Sequence, residues 1–356
     1  MKCRRTLVVT STFPQYEDDD RGVFLRRHWE REVARGEDVS VLAPKTAWTD
    51  ARFRPGVRMR RFWYAPRRVS SLTGHFGILE NIRERPWRAC LVPAYVWALH
   101  RAVARELEEG SYDRVAAHFW LPSGLVAARL CAGRIPFELY GHGTDVDIVM
   151  ASPAPLRAAI AKRLARASVI HVPSTRKRDA IIEALGWHHI AHKVRVEHMS
   201  HTITMEGGAS PRELERDYIL FLGRLIDQKG VSVLLEAASE HPGLCVVIAG
   251  DGPLRASLER RAEELSVDAR FVGWVQGAAK RALIRDADAV VVPSRAVRGL
   301  SEGAPLVVAE AHAMGRPIVA SDVGGIAELA ASIGAKPQLV PPDDSAALAQ
   351  VLGRLH

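Results

Sequence analysis

Short apolar runs alternate along this chain with longer stretches in which apolar positions recur every three or four residues. The first pattern suits strands buried on both faces, and the second suits amphipathic helices. Their alternation predicts parallel sheets flanked by helices. In the first half, strands are expected at Thr6–Thr10, Val39–Ala43, Arg114–Ala117, Phe137–Tyr140, Ser168–Val172 and Lys193–Val196, with a helix from about Val23 to Arg35. The second half repeats the rhythm at Tyr218–Leu222, Cys245–Ala249, Ala269–Val272, Ala289–Val292, Pro317–Ala320 and Pro337–Val340. Helices are expected between these strands at Ser232–Ser239 and Leu254–Leu265, and after them at Ser345–Leu352. Between the halves, Glu206–Glu215 (EGGASPRELE) joins a glycine pair, a Ser-Pro step and several charges, as an exposed linker would. The expected fold class is α/β, with two Rossmann-like domains of parallel sheets facing a cleft. They span residues 1–205 and 217–356, with a linker at 206–216.

A length of 356 residues with 47% hydrophobic and 25% charged side chains fits two globular domains and excludes a disordered or collagenous chain. The four cysteines lack metal-ligand spacing and are expected as reduced, mostly buried thiols of a cytoplasmic protein. The N-terminal apolar stretch is too short for a signal peptide, and no run approaches the length of a membrane span. Charge is uneven: residues 1–205 carry a net +12 and the remainder −4. A basic half predicts an anionic partner, such as a phosphate-bearing substrate or an acidic membrane face.

Three stretches carry candidate chemistry, each at the end of an expected strand, where α/β sheets bind ligands. In FLGRLIDQKG, Gly223 precedes Arg224, and Lys229 follows on the same loop, so both cations can reach one diphosphate. In SEGAPLVVAE, Glu302 and Gly303 precede a helix start at Ala304, Pro305 and Leu306, with Glu310 further along the helix. The first-turn N–H groups there can face an anion, and the carboxylates can accept from hydroxyls. In YGHGTD, glycines flank His142, so its imidazole can stand close to a substrate.

Taken together, FLGRLIDQKG, IAGDGPL, FVGWV, VVPS and EGAPLVVAEAHAMGRPIVASDVGGIAEL occur in an order that resembles the C-terminal domain of retaining glycosyltransferases of family four. RGVFLRRHWEREVARGEDVSVLAP, AHFWLPSGLVAARL and ELYGHGTDVD resemble their N-terminal domain. The resemblance implies the GT-B architecture and transfer of a sugar from a UDP- or GDP-sugar to a glycan, lipid-linked or small natural-product acceptor. It makes Arg224 and Lys229 diphosphate partners, Glu302 and Gly303–Leu306 holders of sugar and phosphate, and Glu310 the ribose ligand. His142 lies beside the donor sugar, Gly22 lets backbone approach the phosphates, and the base rests near Val272–Trp274. Asp251 is expected as a turn residue. The resemblance carries no obvious carboxylate nucleophile, no metal and no other cofactor. The rival readings are a non-catalytic nucleotide-sugar-binding partner and a sugar-nucleotide epimerase.

Other features have plainer readings. Glu17–Asp20 (EDDD) is expected as a solvated acidic loop rather than a metal motif. Trp187, His188, His189 and His192 read as a polar loop. Arg52–Arg68 mixes seven arginines with four aromatics and no acid; it is read as a basic edge, with peripheral contact to an anionic membrane face as the competing reading and nucleic acid excluded for want of a motif. Two departures from the family are expected to matter. VEHMSHTI (196–203) lacks the usual proline and glycine, and the family's helix crossing back onto the first domain is expected to be missing after Leu352.

Overall fold

A computed structural model of the protein describes residues 3–17, 19–73, 77–199, 217–297 and 304–355. The chain forms two compact units: Met1–Pro173 with Arg178–Met199, and Ser174–Lys177 with Ser200–His356. The expected linker lies outside the described residues.

The first unit holds seven parallel strands: β1 (Arg5–Val9), β2 (Asp38–Pro44), β3 (Arg58–Phe62), β4 (Arg114–His118), β5 (Phe137–Tyr140), β6 (Val169–Val172) and β7 (Val194–Val196). Their spatial order is β3-β2-β1-β4-β5-β6-β7. The second unit holds β8 (Ile219–Leu222), β9 (Val246–Ala249), β10 (Ala269–Gly273), β11 (Ala289–Val292), β12 (Ile318–Ser321) and β13 (Gln338–Val340), ordered β10-β9-β8-β11-β12-β13 and again all parallel. In each sheet the order reverses beside the first strand. The loops leaving β1 and β4, or β8 and β11, diverge there and leave a crevice at the strands' carboxyl ends.

The apolar strand sequences explain the layering. Alternate side chains point to opposite faces, so Leu7 and Val9 enter one core of the first unit and Val8 the other. In β9, Val246 and Ile248 likewise oppose Val247 and Ala249. All seven are fully buried, as both-face coverage by helices requires.

The expected strands and the four expected helices recur within a residue or two. Several local expectations are corrected. The basic segment does form the sheet's edge strand, β3, as read, and the aromatics just after it divide: Tyr64 is buried while Trp63 stands 42% exposed. Arg61 is not solvated either; its guanidinium donates to the Pro44 and Pro14 carbonyls, and burial lowers its pKa to about 10. Asp19 is buried rather than solvated, because it accepts from the Gln15 N–H and ion-pairs Arg21. Residues Trp187–Lys193 form a short 3₁₀ helix, since Trp187 and Ile190 bury themselves against the core. All four cysteines are free thiols; Cys131 and Cys245 are buried, and Cys3 and Cys90 are exposed. No described helix is long and apolar enough to cross a membrane.

Candidate active site

In the second unit, the loops leaving β8, β9 and β11 are knitted together through backbone. Gly250 has φ +146°, and a Cβ there would stand 1.8 Å from the Gly223 carbonyl oxygen. Gly230 has φ +63° and would meet the Pro293 carbonyl oxygen at 1.9 Å. Only glycine permits such approach. Leu225 N–H donates to the Asp251 carbonyl (2.9 Å) and Arg295 N–H to that of Gln228 (2.9 Å). Arg295 also ion-pairs with Asp227 and Asp343. Arg224 and Lys229 ride on this pinned β8 loop, both half-buried. Asp251 accepts from the Gly252 N–H at 2.7 Å, the turn role expected of it.

The helix Leu306–Ala313 follows β11, with Pro305 as its N-cap and Ala304 just before it. Glu310 is not a surface residue: it is 4% exposed and accepts from Lys280 Nζ at 2.7 Å. Lys280, on the helix Gly277–Asp286, is buried too. Such a pair holds the carboxylate in one orientation, and removal of either partner leaves an uncompensated charge. Val272 and Trp274, at the end of β10, expose 39% and 47% of their surface. Glu302 and Gly303 lie outside the described residues.

In the first unit, Gly22 caps the helix Val23–Ala34 with φ +71°, and a Cβ there would press on Thr12 and Phe13 at 3.1–3.2 Å. The Gly22 backbone thus lies close against the protein's own first loop. The two glycines around His142 have different tasks. Gly141 is crowded by Val146 and Trp120, whereas Gly143 takes φ +106° ahead of the helix Thr144–Met150. Asp145 holds the turn by accepting from the N–H groups of His142 (2.9 Å) and Trp120 (2.7 Å). Burial pushes its pKa up to about 6 against those donors.

His142 does not stand alone. Strand register sets His118 beside Tyr140 and Tyr140 beside His171 on β4, β5 and β6. Adjacent strands are about 4.8 Å apart, and the three rings stack at 4.4 and 4.1 Å between centroids. Trp29 Nε1 reaches His118 Nε2 at 3.0 Å, and His118 Nδ1 reaches His142 Nε2 at 3.0 Å. At the other end, His171 pairs with Glu197 and lies 3.7 Å from Glu138. Arg114 binds both Glu138 oxygens (2.8 and 2.7 Å) and Glu37. Burial lowers His118 far below the ordinary range, His142 to about 3 and His28 to about 4. Burial alone would lift Glu138, yet His171 and Arg114 hold it at about 2. Burial opposes the charging of His171, and its two carboxylates still raise it.

The structure thus gathers Gly223, Arg224 and Lys229 on one loop and sets Glu310 in a buried pair. His142 stands at the head of an aromatic and histidine array. Sequence reasoning missed Trp29, His118, His171, Glu197 and Lys280. AHFW and HVPS, each closing an apolar strand, were the only local signals for the two histidines, and no local signal marked the rest. Among the described residues no group of three or more His, Cys, Asp or Glu side chains is arranged to hold a metal.

Two Rossmann-like sheets, each with its polar groups at the carboxyl ends of its strands, place the fold in the GT-B class. Anabaena Alr3699/HepE, solved in complex with UDP-glucose, matches with a TM-score of 0.66 at 18% identity over 98% of this chain and 89% of that one, a likeness of fold. The family described as "Glycosyl transferase 4-like domain" matches residues 22–196, and that described as "Glycosyl transferases group 1" matches 216–356. The phosphatidyl-myo-inositol mannosyltransferase of Mycobacterium leprae (strain TN) is 30% identical over 90% of this chain and 79% of its own length. A Bacillus subtilis (strain 168) protein, provisionally named the teichuronic acid biosynthesis glycosyltransferase TuaC, is 26% identical over 98% of this chain and 88% of its own. The chain belongs to the family-four glycosyltransferases.

Proposed function

We propose that this glycosyltransferase takes a sugar from a nucleoside-diphosphate sugar, UDP or GDP, and transfers it with retention of anomeric configuration. The observation that carries the reading is the glycine-pinned β8 loop, which presents Arg224 and Lys229 from a rigid support. A departing diphosphate needs positive charge that does not reorganise during reaction. Arg supplies a planar fork and Lys a point charge, and together they serve in place of a metal ion. Glu310, oriented by Lys280, is suited to accept from ribose hydroxyls. Glu302 would take the transferred sugar's hydroxyls, with backbone from Gly303 to Leu306 facing sugar and phosphate. The UDP-glucose bound by the Anabaena neighbour supports UDP as carrier.

The acceptor is a glycan, lipid-linked or small-molecule hydroxyl, met by the basic first unit on the cytoplasmic side. The mannosyltransferase relative is named for a phosphatidyl lipid, which supports an acceptor presented at an anionic membrane face. Exposed Trp63 and Trp97 suit peripheral contact with such a face; Lys45 lies 5.7 Å from the Trp63 ring centre and Arg101 4.8 Å from that of Trp97.

Thermal shift with UDP, GDP, dTDP and ADP, without metal, tests the donor half. A ligand at a hundredfold excess over Kd stabilises the folded chain by about 2.7 kcal/mol. One base should stand out, and Lys229→Ala should remove its shift. Glu302→Ala should abolish transfer at an unchanged Tm, and EDTA should leave transfer intact. No shift with any nucleotide would overturn the donor assignment, and activity lost to EDTA and restored by manganese would overturn metal independence. Binding without transfer to any acceptor would point to a nucleotide-sugar-binding partner instead.

A further inference from the structure

Trp29, His118 and His142 form a hydrogen-bonded line whose proton positions follow from one fact. The indole Nε1–H can only donate. His118 Nε2, 3.0 Å away, must therefore accept, and so carries no proton. The remaining proton of His118 then sits on Nδ1, which faces His142 Nε2 at 3.0 Å. His142 Nε2 accepts that hydrogen bond in turn. The proton of His142 is left on Nδ1, the nitrogen that the line does not use.

We propose that Trp29 and His118 are positioning residues that lock His142 as the neutral Nδ1–H tautomer, so that it offers its partner one uncharged donor. The surroundings enforce the lock. Trp29 and His118 are completely buried, and Tyr140 stacks on His118 from the side opposite β1. The charged and titratable groups around the line are His28 beside Trp29, Arg114 over the Trp29 ring at 5.6 Å, and His171 and Glu138 beyond Tyr140. Glu197 pairs with His171. None of these carboxylates hydrogen-bonds His118 or His142; Glu197 favours charge on His142 only through space, and burial with the neighbouring His28 outweighs it. Burial lowers both rings. Phe24 and Phe119 pack against the His142 ring, and Asp145 holds its backbone N–H, so the ring's orientation is set as well as its proton.

The chemical consequence is selective. A neutral N–H gives an uncharged oxygen, such as a sugar hydroxyl, one directed hydrogen bond without adding the positive charge by which an imidazolium would draw a phosphate more strongly. With its Nε2 lone pair occupied, His142 also cannot take a proton through that nitrogen. The identity of the hydroxyl rests on the proposed function; the tautomer rests on this structure's hydrogen bonds alone.

The two parts are tested separately on the full chain. Long-range ¹H–¹⁵N spectra of histidine-labelled protein, assigned with His142→Asn and His118→Gln, should show both rings neutral with the proton on Nδ1 from pH 8 down to pH 5. A proton on His142 Nε2, or an imidazolium at pH 6, overturns the lock. Trp29→Phe should give His142 mixed tautomers and an acid limb in its pH–rate profile. It should lower kcat about tenfold, the worth of one neutral hydrogen bond, while leaving UDP affinity unchanged. His118 gives an independent check should Trp29→Phe fold poorly. Glutamine can accept from Trp29 and donate to His142, so His118→Gln should retain most of the activity that His118→Phe loses. Equal loss in both, with His142 still a single Nδ1–H tautomer, overturns the positioning role. An intact lock in a chain that transfers no sugar would instead refute the proposed function.

Discussion

The two units build their sites by opposite means. The second unit uses backbone: glycines at 230 and 250 let carbonyls of neighbouring loops come within 2 Å of where a Cβ would stand. Among its described residues, the buried charge is one close pair, Lys280 with Glu310. The first unit uses side chains, with His28, His118 and His142 disfavoured as cations by burial and an indole, a phenol and an arginine packed among them. Diphosphate asks for charge on a rigid support, whereas sugar hydroxyls ask for directed neutral donors. The contrast predicts different failure modes for the two halves.

The largest effect should come from Lys280→Ala, which strands the Glu310 carboxylate inside the second unit. A loss of about 3–5 kcal/mol is expected, read by urea denaturation, and Lys280→Met with Glu310→Gln should recover most of it. A single variant that costs nothing would mean the pair is not buried in solution. Gly250→Ala should follow at about 3 kcal/mol, because its Cβ would overlap the Gly223 carbonyl. Gly243→Ala is the control. Gly243 has φ +96° but open space around its Cβ position, so only conformational strain of about 1 kcal/mol is expected. If both glycine variants behave alike, the close loop packing is not what the second site depends on.

Acid should act through the first unit. His28 and His142 titrate near 4 and 3 in the fold, below their ordinary 6.5, and His118 is lowered with them. Between pH 6.5 and about 4 the unfolded chain binds protons there that the native chain does not. Stability therefore falls as pH drops through that window. Glu138, held at about 2 against an ordinary 4.5, continues the loss below pH 4.5. Asp145, raised to about 6, opposes it with one group against three. His171, raised by its carboxylates, favours the fold at low pH and loses that contribution as pH rises above 6.5. Seven of the eight tryptophans precede residue 206, so intrinsic fluorescence should follow this transition. His118→Gln should flatten the slope between pH 6 and 4 by the smallest measurable amount of the set. An acid transition reported first by Trp274 in the second unit would reverse the comparison.

Much of this was legible beforehand for local reasons. A buried parallel strand is a short apolar run, and β5 and β11 fall where the sequence places them. Arg224 and Lys229 could be read because both lie on one loop. Asp19 could not, since an acidic run looks solvated until its contacts with Gln15 and Arg21 are known. Glu310 was legible as a candidate but not in its state, because Lys280 lies 30 positions away on another helix.

By itself, the sequence determined the strand and helix rhythm, the two-unit division of the fold class, the glycines and the cations at the end of β8. All of these depend on neighbours within a few residues. Tertiary structure alone decided the row of His118, Tyr140 and His171, which exists because core burial fixes the register of three parallel strands. It also decided that Trp29, 89 positions before His118, places its indole N–H where His118 accepts it. Periodicity gives each side chain its face, but only packing chooses the partner it meets there.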